Sequence, residues 1–262
     1  MVQTTTHPAL VHTPRDDLAE LTPKQRQILE RASRTQPPQY RMLVYALLAS
    51  NNWDEERTED CMETLTTYLT RPVSNAVVMP FYKQSTDGVL APCTVLLEDG
   101  RGGVARDVQG HPLCCTFGVA PPLTMKEMIN VAVWSAHRVA RFTGDNELPQ
   151  TTNIIDMLHR GNRDAGKSLP MPEAQMIELS ALLPNSNTRT YVCGARSEVK
   201  AAFDAMSHVP LLRRWCTNFV FCDDYSCLSG VIPLEHMLPW WADGAAFDFN
   251  VDAYRQHLAA EE

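Results

Sequence analysis

Residues 161–172 read GNRDAGKSLPMP. The first eight fit the phosphate-loop pattern G-x-x-x-x-G-K-[ST] letter for letter. In a working loop of this kind the Gly-Lys-Ser opens a helix, and the helix's first N–H groups and its dipole hold the phosphates. Here the chain continues Leu169-Pro170-Met171-Pro172. In a helix begun at Gly166, the ring of Pro172 would clash with the carbonyl of Ser168 and remove a hydrogen bond, at a cost of ~3 kcal/mol or more. Residues that precede prolines also avoid the α region. The helix is therefore expected to begin after Pro172, with 161–172 as a polar connection from strand to helix. Nucleotide binding by Gly161, Gly166, Lys167 and Ser168, with Asp223 of FVFCDD holding magnesium, stands as the alternative.

Working outward, strands and helices alternate. TTNIIDMLH precedes the loop as a strand, and PEAQMIELSALLP follows it as a helix. TRTYVCGA reads as a strand, SEVKAAFDAMSHVPLLRRWC as a helical pair broken at Pro210, and TNFVFCDD as a strand. Upstream, VLAPCTVLLEDG and DVQGHPLCCTFG are strands with turns at Asp99-Gly100 and Gln109-Gly110. PLTMKEMINVAVWSAHRVARFTG is a helix with a Thr124…Glu127 capping box. Strands separated by helices imply a parallel sheet with crossover helices.

The first part of the chain is helical instead. Thr22-Pro23-Lys24-Gln25 offers an N-cap, a proline at N1 and a capping-box glutamine, and Pro37-Pro38 ends that helix. YRMLVYALLAS is a short apolar helix. A third begins at an Asp54 cap, its stripe formed by Trp53, Cys61, Met62, Leu65, Tyr68 and Leu69. The fold class expected is α/β: an all-helical lobe over 15–74, then a mostly parallel sheet flanked by helices over 75–258. The last residues read as IPLEHMLPWWADG and a polar tail.

Composition narrows the function. The chain has 262 residues, 44% hydrophobic and 21% charged, with a net charge of −8. That suits a globular protein with a sizeable core and disfavours nucleic acid as a partner. MVQTTTHPALVH carries no targeting signal, and no apolar window reaches 18 residues, so a cytoplasmic protein without a membrane span is expected. The eight cysteines form no CxxC pair, and most sit in apolar runs. Reduced core thiols are the expectation. A zinc cluster of Cys216, Cys222, Cys227 and His236 is conceivable, but its spacing fits no ligand pattern. No GxSxG, HExxH or GxGxxG is present, so neither catalysis nor a cofactor is expected.

Several strings resemble the CRAL-TRIO lipid-binding family, whose members include tocopherol-, retinaldehyde- and phosphatidylinositol-transfer proteins. Residues 42–71, with Trp53-Asp54, look like its N-terminal helical module. DVQGHPL (107–113) looks like its Asp-x-x-Gly-x-Pro turn, and NIID (153–156) like the strand after its long helix. LLPNSNTRTYVCGARSEVKAAF (182–203) looks like the strand and gate helix, although Gly194-Ala195-Arg196 stands where the family has Asn-x-Pro. LPWWADG (238–244) looks like the family's closing segment, with only Gly244 kept. The resemblance covers residues 21–258.

The resemblance implies an apolar cavity between a concave sheet and a mobile helix, holding one lipid-like ligand. Alternation along strands gives one face of each to such a cavity. The first strand offers either Leu113 and Cys115 or the opposite face through Cys114. The others offer Ile155, Tyr191, Cys193, Phe219 and Phe221. The gate is 197–206, capped by Ser197, with Val199, Phe203 and Met206 along one side.

The implied activity is transfer. Burying a 16-carbon chain recovers about 12 kcal/mol, close to what it loses on leaving a bilayer. Arg189, Arg196, Lys200, Arg213 and Arg214 form a basic patch expected to meet anionic headgroups during transient contact with a membrane surface. The family's inositol-binding Glu and Lys positions hold Asn185 and Thr217, which turns the expected ligand toward another lipid or small hydrophobic molecule. A third reading is a scaffold without a cavity, acting as a subunit of an assembly.

Overall fold

A computed structural model describes residues 18–36, 40–68, 93–99, 102–117, 125–143, 150–159, 187–209, 213 and 216–261. The phosphate-loop candidate, the helix expected after Pro172, the Pro37-Pro38 stop, the Thr124 cap, Asn185 and Arg214 all lie outside these residues.

Three helices open the chain: α1 (Pro23–Arg34), α2 (Arg41–Ser50) and α3 (Glu55–Tyr68). The capping box at Thr22 is formed. Its hydroxyl accepts from Gln25 N at 3.3 Å, and the Gln25 side chain accepts from Thr22 N at 2.9 Å. Asp54 caps α3 through Arg57 N at 3.1 Å, after Asn52 and Trp53 turn the chain at positive φ. Ile28, Leu29, Val44, Leu48, Met62 and Leu65 form the core of this lobe. Ile129 and Val133, from the later helix α4 (Met125–Ala140), complete it, so the lobe is closed by a helix of the sheet region.

The sheet has five strands in the order β1 (Cys93–Leu96), β2 (Leu113–Phe117), β3 (Thr151–Asp156), β4 (Asn187–Cys193) and β5 (Phe219–Cys222). β1 is antiparallel to β2, and the rest run parallel. The expected parallel sheet is present, with an antiparallel edge. Each parallel strand lies beside its sequence predecessor, so right-handed crossovers would place α4 and the described helix after β4 on one face. The contacts agree. α4 meets that face at Cys114 through Ser135, and α5 (Ser197–Ser207) meets it at Phe219 and Phe221 through Phe203.

Register assigns every strand residue to a face. Cys115, Ile154, Tyr191 and Val220 are mutual partners, as are Asp156, Cys193 and Cys222. Their face is covered by residues 225–258, which bring Leu228, Ile232, Leu238, Trp241 and Phe247 onto it. The helix-bearing face carries Cys114, Asn153 and Phe219, then Ile155, Val192 and Phe221.

The structure corrects three expectations. The polar tail contains helix α6 (Val251–Ala260), capped by the Asn250 carboxamide oxygen, which accepts from Ala253 N at 3.0 Å. Among its described side chains Tyr254 and Leu258 are buried, a stripe too thin to register as an amphipathic pattern. The N-cap of α5 is Arg196, in extended conformation with no side-chain cap bond, and Ser197 is already helical. Finally, Cys222 and Cys227 form a disulfide. Cys61, Cys114, Cys115, Cys193 and Cys216 are outside any disulfide and buried, as expected. The short 3-10 turn Tyr225–Leu228 brings Cys227 back over the end of β5, a proximity that no CxxC spacing announces.

α6 is held by a buried ion cluster. Arg138 makes a bidentate pair with Glu98, 2.6 Å on each side, and also binds Glu261, which takes Arg141 at 2.7 Å. Burial alone would lower the Arg138 pKa, but the two carboxylates outweigh it and raise it. Partial burial of Glu261 is likewise outweighed by Arg141 and Arg138, which hold its carboxyl down to about 2.

Candidate functional site

The proposed pocket residues divide between the two faces of the sheet. Leu113, Cys115, Tyr191 and Cys193 face residues 225–258 and are buried in a filled core. Ile155, Phe219 and Phe221 lie on the helix-bearing face and are half-buried. One cavity cannot hold both sets, because successive side chains of a strand point to opposite sides. The sequence left the register of the first strand open, and the register decides the division.

The second set belongs to α5. Val199, Phe203 and Met206 are half-buried, and none of the helix's 11 residues is fully buried. The ring of Phe203 lies 4.6 Å from that of Phe219 and 5.2 Å from that of Phe221, centroid to centroid. Rings this close leave no room for a ligand between them. The helix rests directly on β5, an edge strand of only four residues.

Gly194 starts the path from β4 into α5. It has φ +79°, and a Cβ added there would come 2.4 Å from Leu158 Cδ2. A glycine here meets the requirement of the turn for positive φ and a close approach. Its N–H donates to Cys222 O at 2.8 Å, which ties the turn to β5.

The basic residues are also divided. Seven residues separate Arg189, early in β4, from Arg196, past its end, and a strand covers about 3.3 Å per residue. The strand from Arg189 to Cys193 alone covers about 13 Å, so the two stand toward opposite ends of the sheet. Lys200 shares the end of Arg196 and pairs with Asp223 at 2.7 Å. That pairing also engages the acid proposed to hold magnesium. Arg213 follows α5 and is exposed.

The carboxyl ends of β3, β4 and β5 carry a dense polar constellation, and the sequence offered little sign of it. Asp156 is fully buried. Its Oδ1 accepts from Tyr225 Oη at 2.8 Å, Leu158 N at 3.1 Å and His159 N at 3.0 Å. Its Oδ2 accepts from the indole nitrogens of Trp240 and Trp241, each at 3.0 Å. Burial, then the Asp156 carboxylate, pushes the Tyr225 hydroxyl upward, so it stays a donor. An acid at the end of a strand is visible in NIID, but its three side-chain donors lie more than 60 residues downstream. Beside Trp241 and Tyr225 opens a pocket of about 380 Å³, lined also by Ser226, Ile232, Leu234 and Met237.

The conceivable zinc set is not brought together. His236 Nδ1 faces Arg106, 3.1 Å from its N and 2.9 Å from its O. Cys216 lies six residues before Cys222, at the other end of β5. Cys193 stands beside the disulfide sulfurs instead. Among the described residues no helix is long and apolar enough to cross a membrane. No family model matches the chain, and no curated protein matches it.

Proposed function

We propose that this chain binds one lipid or other small hydrophobic molecule against the helix-bearing face of its sheet, and that α5 swings away to admit it. The observation that carries the reading is that α5 buries no side chain fully and rests on β5 through one ring wedged against two. Full burial of an apolar side chain is worth about 1.5–3 kcal/mol, so three half-buried ones hold the helix with about 3–4 kcal/mol. Four or five methylenes at about 0.8 kcal/mol each offset that cost. A longer acyl chain leaves a surplus, and the helix becomes a gate whose opening sets the exchange rate. The chain acts as a carrier rather than an enzyme. It works in the cytoplasm and touches membranes transiently through Arg196 and its neighbours. This is the function that the likeness to the CRAL-TRIO family implies.

Organic extraction of the purified chain followed by mass spectrometry tests the reading, together with titration of the emptied protein with a fluorescent fatty acid. One lipid per chain, and weaker uptake by Phe203→Asp, are expected. An extract without lipid, and no saturable uptake, would reject it. The filled opposite face favours a second reading, a scaffold subunit that holds no ligand. A stable complex with another protein, formed by a chain that takes up no lipid, would support that one.

A further inference from the structure

We infer that Cys193, Cys222 and Cys227 form a thiolate site for a thiophilic d10 cation, Zn2+ foremost, which opens when the Cys222–Cys227 disulfide is reduced. The three Sγ atoms lie within 4.8 Å of one another. Thiolates about 2.3 Å from a common metal stand about 3.8 Å apart, so small side-chain adjustments suffice once the disulfide is open. The arrangement is built by the fold. Cys193 and Cys222 are register partners on adjacent strands and share a face, and the turn Tyr225–Leu228 returns Cys227 above them.

The surroundings suit a cation. Asp156 is the register partner of Cys193 on the other side, and its carboxylate accepts from Tyr225, Trp240, Trp241 and two backbone amides. A bound cation takes the place of the thiol protons. Three sulfur ligands and no imidazole select zinc-like ions over magnesium or calcium. The fourth position is left for water or an incoming donor.

The chemistry balances in two steps. A dithiol reductant gives two electrons and two protons to the Cys222–Cys227 bond and becomes a disulfide itself. The cation then displaces one proton from each of the three thiols. The oxidised and reduced chains are thus a closed and an open state of one site.

The test uses the full chain, oxidised or reduced with a dithiol and desalted without air, titrated with Cd2+ as the spectroscopic substitute for Zn2+. Expected are one Cd2+ per reduced chain, an ultraviolet thiolate-to-metal band, and displacement by Zn2+. The oxidised chain should lack the band, and Cys193→Ser should lose affinity by at least about tenfold, since even outer partners of a metal site are worth that much. Cys227→Ser, at a half-buried position, is the second variant should Cys193→Ser not fold, and circular dichroism monitors both. Cys61→Ser should bind like the unchanged chain. Equal binding by the oxidised chain, no stoichiometric binding after reduction, or unchanged affinity in the folded variants would overturn the inference.

Discussion

Replacing Asp156 with asparagine keeps the shape of the side chain and removes one acceptor oxygen and the charge. The carboxylate accepts from Tyr225, Leu158 and His159 through Oδ1 and from two indoles through Oδ2. The best arrangement of an asparagine keeps its oxygen toward Tyr225, Leu158 and His159 and turns its NH2 toward two indole N–H groups. Trp241 is buried, so its donor is stranded at about 1–3 kcal/mol. Trp240 is partly exposed and recovers water, so it costs less. The three surviving bonds lose their charge assistance, which roughly doubles such bonds. The sum is about 3–4 kcal/mol. At about 2–4 °C per kcal/mol for a chain of this size, the thermal midpoint should fall by roughly 10 °C. Urea unfolding followed by tryptophan emission measures the change and reports on the indoles themselves. Tyr225→Phe, which removes one donor and strands nothing, should cost clearly less. A loss below about 1 kcal/mol for Asp156→Asn would refute the reasoning, since it would mean that the five bonds do not share one desolvated acceptor.

Gly194→Ala meets both a positive φ and the Leu158 side chain, and should destabilise by about 1–3 kcal/mol, whereas Gly102→Ala, in open space, should suffer only the φ penalty. Equal losses at the two sites in urea melts would contradict the close approach. Glu98→Ala strands the buried Arg138 guanidinium with Glu261 alone and should cost about 3–5 kcal/mol. A near-neutral result in the same assay would mean that water reaches the cluster. The Glu261 carboxyl is held at about 2 against an ordinary 4.5, so its stabilisation is present above pH 4.5 and is lost as pH falls from there toward 2. Glu261→Gln should therefore be less stable than the unchanged chain at pH 6, and the two should converge in acid unfolding curves near pH 2. A gap that stays constant would rule out the ionic origin.

The alternation of strands and helices, the caps at Thr22 and Asp54, and the Val199, Phe203, Met206 stripe were legible because each depends on residues within one turn or one element. Five features were not legible, for a common reason. The partners of Asp156 come from 225–241, the partner of Glu98 is 40 residues away, and Cys193 meets Cys222 only through strand register. The division of Leu113 and Cys115 from Ile155 and Phe219 depends on that same register. α6 was missed because its buried residues Tyr254 and Leu258 acquire meaning only against the cluster that they cover.

The sheet grows by adding each parallel strand to the one before it, from β2 to β5. During synthesis, pairing can proceed from the amino end without waiting for distant sequence. The covering of its second face cannot, because Leu228, Leu238, Trp241, Phe247 and Leu258 all leave the ribosome after β5. A nascent chain stopped at Cys222 would display a broad oily surface with its strands already aligned. The last stretch of translation is therefore the vulnerable interval, when a chaperone has the most surface to hold and a prematurely ended product has the strongest tendency to aggregate.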